Sequence, residues 1–118
     1  EEKRVAQLRA SASSMSTGDG RGDLSSRVQR IAATLPFSVS IRIEECPIAG
    51  PVLGCYYPGA QYIVIDPLLN QRPDCKVRET IAHEYRHLMQ WNEGLMWNNT
   101  SAWLEADARS WAAPYGCS

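Results

Sequence analysis

The sequence predicts an α+β domain: one helix, a small three-stranded sheet, then two further helices in chain order. Three observations carry this. Apolar residues recur at helical spacing in three separate segments. One segment alternates strictly between apolar and polar residues, as a half-buried strand does. Pro58-Gly59 then separates two short apolar runs in the manner of a hairpin turn.

The first ten residues look helical but carry little apolar periodicity, and "SASSMSTGDGRGD" (11–23) is a Ser/Gly-rich linker. It contains Arg21-Gly22-Asp23, a tripeptide integrins read, but in a flexible linker three common residues carry little weight. Residues 1–22 are therefore expected to be a flexible N-terminal segment, and 23–118 the folded domain. Asp23 can cap a helix over Leu24–Leu35, where Leu24, Val28, Ile31 and Leu35 share one face and Pro36 ends the run. In "FSVSIRIEE", Phe37, Val39, Ile41 and Ile43 point one way, and Ser38, Ser40, Arg42 and Glu44 the other. "GCYY" and "AQYIVID" read as the hairpin. Asp74 can cap the next helix, Lys76 to about Trp91, with Gly94 as its stop. "WNNT" is turn-like, and a last helix runs from about Ser101 to Ala113, before Pro114.

The length of 118 residues suits one domain with a modest core, and the fractions of 44% hydrophobic and 21% charged are ordinary for a globular chain. A net charge of −1 supplies no basic field for nucleic acid or an acidic membrane. No apolar run approaches the roughly 20 residues needed to span a bilayer, and "EEKRVAQLRA" lacks the apolar core of a signal peptide. Four cysteines permit two disulfides in three pairings. Cys46 and Cys55 bracket a turn-rich loop. Cys75 and Cys117 flank the last two helices. Bridges Cys46–Cys55 and Cys75–Cys117 are the expected pairing.

Both histidines of the chain lie in "ETIAHEYRHLMQW" (79–91), four residues apart. On a helix, positions i and i+4 project from one face, so His83 and His87 can aim ring nitrogens at one point. A Zn²⁺ ion takes nitrogen ligands at about 2.0–2.1 Å. Glu84 is rotated about 100° from His83. It lies off the metal but within reach of a water bound to it, as a general base for hydrolysis must. Val77, Ile81, Tyr85 and Leu88 form an apolar stripe on the other side, facing the core. A catalytic zinc needs a third protein ligand and an open position. Gln90 and Glu93 stand where a Gly and a third His would extend the motif, so the third ligand should be a carboxylate: Glu93, Glu105 or Asp107. Glu93 lies about 240° round from His87 if the helix continues. Glu105 and Asp107 flank the apolar face of the last helix at similar angles, and periodicity does not choose between them.

"ETIAHEYRH" followed by "LEADARSWAA" resembles the ImmA/IrrE-type metallopeptidases, a branch of the glutamate-zincins. That family pairs H-E-x-x-H with a downstream E-x-x-A-x-x-[FW]-A helix, which Glu105, Ala108, Trp111 and Ala112 match. "GAQYIVID" is similar to the strand that precedes the family's active-site helix. The resemblance spans about residues 50–113. It implies a minimal zincin-like domain, zinc held by His83, His87 and Glu105, and peptide-bond hydrolysis with Glu84 as the base. The chain departs from the family at Arg109, where Asn is usual, at Arg86, where a small residue is usual, and in its "PYGCS" ending.

The expected partner is a protein or peptide substrate, met by a monomer that binds neither nucleic acid nor membrane. A strand edge at the cleft can take substrate as an added strand, and Gln61–Ile65 is a candidate. Arg109, Tyr85, Tyr57, Tyr62 and Tyr115 are candidates to steady the oxyanion. The rivals are a catalytically silent zincin-like binding domain and a structural zinc module of Cys46, Cys55, His83 and His87. The cysteines lean toward an exported protein, the family toward the cytoplasm.

Overall fold

The computed structural model describes residues 20–47 and 53–117; all but the last three residues of the expected N-terminal segment 1–22, and the middle of the loop between Cys46 and Cys55, lie outside the described residues. The architecture is α+β, with three α-helices and one small mixed sheet.

Helix α1 spans Gly20–Ala32. It begins before the expected cap, so Asp23 sits within the first turn rather than preceding it, and it ends three residues short of Leu35. Leu24, Val28 and Ile31 form its buried face, as their spacing predicts. Arg27 reaches across to the chain ahead of the next helix. Its guanidinium donates to the carbonyls of Asn70 (2.8 Å) and Arg72 (2.7 Å) and to the Asp74 carboxylate (2.8 Å). Arg30 joins at 3.0 Å. These bonds occupy Asp74, so it does not cap. The cap position is Pro73, with no side-chain bond, and Asp74 is instead the first residue of the helix.

Strand β1 covers Ser40–Ile43, β2 Gly54–Cys55 and β3 Tyr62–Ile65. The order is β1-β3-β2, with β1 parallel and β2 antiparallel to β3. The expected hairpin is thus present. The alternating segment is laddered only over its middle, while Phe37 and Val39 pack on the core without pairing. The central place of β3 corrects one expectation: Gln61–Ile65 is no free edge, because Ile63 pairs with Ile41 and Val64 with Cys55. The burial of Ile63, Val64 and Ile65 fits a strand covered on both faces. Ile63 and Ile65 join the main core, and Val64 packs with Cys46 and Cys55.

Asp66, fully buried, accepts from the amides of Leu68 (2.9 Å) and Cys46 (3.1 Å) and so starts the 3₁₀ turn Pro67–Gln71. Helix α2 then runs Asp74–Asn92. It stops as expected at Gly94, whose φ of 76° is the left-handed conformation that glycine adopts without steric cost. After a 3₁₀ turn over Leu95–Trp97, helix α3 spans Ser101–Ala112, capped by Thr100 Oγ1, which accepts from the Trp103 amide at 3.1 Å.

Val77, Ile81 and Leu88 of α2 meet Leu24, Val28 and Ile31 of α1 and Ile63 and Ile65 of β3 in one core. Each such side chain contributes about 1.5–3 kcal/mol by leaving water. Tyr85 stacks on Phe37 at 4.1 Å, with Trp111 and Tyr115 against the same ring. The disulfides are Cys46–Cys55 and Cys75–Cys117, as expected. No helix among the described residues is long and apolar enough to cross a membrane.

Candidate metal centre

The core contacts of α2 leave the face bearing His83 and His87 turned toward α3, which crosses it. Glu105 of α3 reaches both rings: one carboxylate oxygen lies 3.1 Å from His83 Nε2 and the other 3.0 Å from His87 Nε2. The three side chains form a group able to hold a metal ion, with one ligand atom from each all within 4.8 Å of one another. Tetrahedral zinc with ligands near 2.0–2.1 Å needs them about 3.3 Å apart. Two imidazoles and a carboxylate on two helices, with Glu105 at 3.0 and 3.1 Å from the two rings and all three ligand atoms within 4.8 Å, are a donor set that could hold a divalent metal ion.

The other two carboxylates are placed elsewhere. Asp107 accepts from Arg86 Nε at 2.8 Å and from Gln90 Nε2 at 2.9 Å, bonds that hold its carboxyl below its usual range. Glu93 follows the end of α2, exposed, 3.8 Å from Arg86. Of the three carboxylates the periodicity offered, only Glu105 faces the histidines.

Glu84 is buried at 6% exposure on the flank of α2, beneath β2. Its close neighbour is Gly54. A Cβ at that position would lie 2.9 Å from Glu84 Cγ and from Thr80 Cγ2, and 3.0 Å from Glu84 Oε2. Only glycine lets β2 rest this closely on α2. Burial, with the Glu105 charge adding, pushes the Glu84 carboxyl up to about 8. A divalent cation beside it would draw that value down again. Burial, and then the neighbouring His87, lower the His83 pKa, while Glu105 acts the other way. The net shift favours the neutral ring, the form that binds a metal.

These groups open on a cleft of about 790 Å³. Its walls include Leu53, Gly54, Cys55 and Tyr56 from β2 and its flanks, Thr80 and Glu84 from α2, and Leu104 and Arg109 from α3. Of the five candidates for oxyanion support, Arg109 alone lines it. Tyr85 and Tyr115 belong to the aromatic cluster around Phe37, Tyr62 lies under the Arg42 guanidinium at 3.7 Å, and Tyr57 is exposed outside the cleft. Arg109 Nη1 is 3.8 Å from Glu105. Tyr56 lines the cleft, with its hydroxyl donating to the Ala60 carbonyl at 2.7 Å. Cys46 and Cys55 are bonded to each other, which leaves no thiolate for a Cys/His module.

Two participants were not legible as such in the sequence: Gly54 and Gln90. Gly54 gives no signal without the neighbour it accommodates. Gln90 stands three residues after His87, a spacing that brings side chains together on a helix, and that offset was its only mark. Comparison of the chain with family models, curated proteins and solved structures finds no match in any of the three.

Proposed function

We propose that this protein is a zinc-dependent metallopeptidase of the ImmA/IrrE kind, with His83, His87 and Glu105 as the metal ligands and Glu84 as the general base. The observation that supports this most is the arrival of Glu105, from a separate helix, at both His Nε2 atoms while Asp107 is engaged by Arg86 and Gln90. An accidental histidine pair has no reason to meet the one carboxylate that the family motif names. A zinc ion held there would supply Lewis-acid polarisation and a water acidic enough to ionise near neutral pH.

The chain's own residues provide the rest. Glu84 borders the metal face and lies against the edge strand. Its carboxylate would take a proton from the attacking water and return it to the leaving amine. Among the described residues β2 is a sheet edge, and Leu53–Tyr56 line the cleft. An extended peptide laid beside β2 would place a carbonyl between Glu84 and the ligand group. Arg109 is the cation available to the charge that develops on that carbonyl oxygen.

The test is Glu84→Gln assayed on an unstructured peptide library, with cleavage read by mass spectrometry. The variant should keep its fold and its zinc while hydrolysis falls by about 10²–10⁴-fold. An unchanged rate removes Glu84 from the role. A wild-type chain that binds zinc and cleaves no peptide points instead to a zincin-like binding domain.

A further inference from the structure

Gln90 is fully buried, a costly place for an amide unless every hydrogen-bonding group finds a partner. Its amide is hydrogen-bonded at both ends. Its Nε2 lies 2.9 Å from the Leu104 carbonyl oxygen and 2.9 Å from Asp107 Oδ2. Its Oε1 lies 2.8 Å from His87 Nδ1. The direction of each bond follows from chemistry. A backbone carbonyl only accepts, and so does an ionised carboxylate. Both must therefore face the NH₂ end of the amide. That turns the carbonyl end toward His87, and a carbonyl oxygen can bond a ring nitrogen only if that nitrogen carries the proton. Arg86 fixes the far end of the chain, donating from Nε to the same Asp107 oxygen at 2.8 Å.

We infer that Gln90 is a positioning residue, whose amide, clamped by Asp107 and the Leu104 carbonyl, holds His87 in the Nδ1–H tautomer and so leaves Nε2, on the Glu105 side of the ring, with a lone pair for a metal. This deepens the proposed metal site and rests on it for its purpose. Without a metal two acceptors compete for the one proton of the neutral ring: Glu105 Oε1, half-exposed and 3.0 Å from Nε2, and the Gln90 carbonyl, shut away from water and closer at 2.8 Å from Nδ1, which is the one inferred to win. Free imidazole has no such constraint, and a ring with the proton on Nε2 could not ligate through that atom. A ring nitrogen opposite the metal that donates to a fixed acceptor is also what sets ligand orientation and basicity. The same bonds tie α2 to α3, because Leu104 and Asp107 flank Glu105 on α3. One residue thereby aligns two of the three ligands. Among the described residues His83 has no comparable partner on its Nδ1, so the effect belongs to His87.

The experiment compares the full chain with Gln90→Met, a variant of similar length without the amide. Long-range ¹H–¹⁵N spectra of the metal-free proteins at about pH 9, where imidazoles are neutral, report the tautomer of each ring. Competition with a chromophoric chelator reports zinc affinity. The wild-type His87 should show a protonated Nδ1 and a bare Nε2. Gln90→Met should lose that preference and bind zinc about 10–100-fold more weakly. If Gln90→Met does not fold, Asp107→Ala, at a partly exposed position, carries the same test with changes in the same direction. A wild-type ring protonated on Nε2 overturns the inference, as does a folded variant that keeps the wild-type tautomer. A wild-type chain that takes up no zinc yet shows the Nδ1–H ring, lost in Gln90→Met, defeats the metal reading and supports the clamp.

Discussion

His83 and Glu84 are adjacent in sequence yet meet different demands, because a turn of about 100° separates them. His83 faces α3 and Glu105; Glu84 faces β2 and Gly54. The closeness of Gly54 to Glu84 and Thr80 leaves no room there for a side chain. Gly54→Ala should push Glu84 or β2 aside and destabilise the fold by about 1–3 kcal/mol, the usual cost of overpacking. Urea unfolding checks this: a midpoint equal to wild type would mean the strand yields freely. The histidine pair and Glu84 were legible because helical spacing alone aligns them. Spacing alone left Glu105 among three carboxylates and the family resemblance singled it out; in the fold it is Arg86 and Gln90, residues of another helix, that engage Asp107 and set it apart. Gly54 was not legible at all, since a close approach has no trace in a one-dimensional pattern.

Between elements, the Arg27, Arg30 and Asp74 group ties α1 to the start of α2. Hydrogen bonds from the Arg27 and then the Arg30 guanidinium hold the Asp74 carboxyl below its ordinary value of 3.8. A carboxyl depressed in the folded state stabilises the fold above its unfolded value, and that contribution is lost as pH falls through the folded value. Asp74→Asn should therefore be less stable than wild type at neutral pH, with the gap closing as pH falls below the ordinary carboxyl value and through the depressed folded one. Urea midpoints of both proteins across that range measure it. A gap that stays constant with pH would show that the ion pairs contribute nothing to the difference. Helix α1 and strand β1 were legible as elements from Leu24, Val28 and Ile31 and from the alternation around Ile41. Their ends were not. Asp23 and Asp74 both have cap chemistry, but one entered the first turn and the other was taken by arginines 44 and 47 residues distant. The same limit applied to β3, whose apolar run suits an edge or a centre, and whose place is decided by strands on either side.

At the scale of the whole chain, the two bridges restrain very different lengths. Cys46–Cys55 spans 9 residues and Cys75–Cys117 spans 42. Loop-closure entropy assigns about 3 kcal/mol to the first and about 4 kcal/mol to the second. Replacing Cys75 and Cys117 with serine should thus lower the unfolding free energy more than the same change at Cys46 and Cys55, as denaturant titration would read. The reverse order would mean that packing beside Val64 outweighs chain entropy. The longer bridge begins at the second residue of α2 and ends just beyond α3, so it braces the two helices that supply His83, His87 and Glu105. Whether these helices together make a zinc site is decided by a crystal structure of the zinc-loaded protein with anomalous data at the zinc edge. One zinc per chain is expected, bound to His83 Nε2, His87 Nε2 and the Glu105 carboxylate. Zinc on Asp107 or Glu93, or no zinc at full loading, would contradict it.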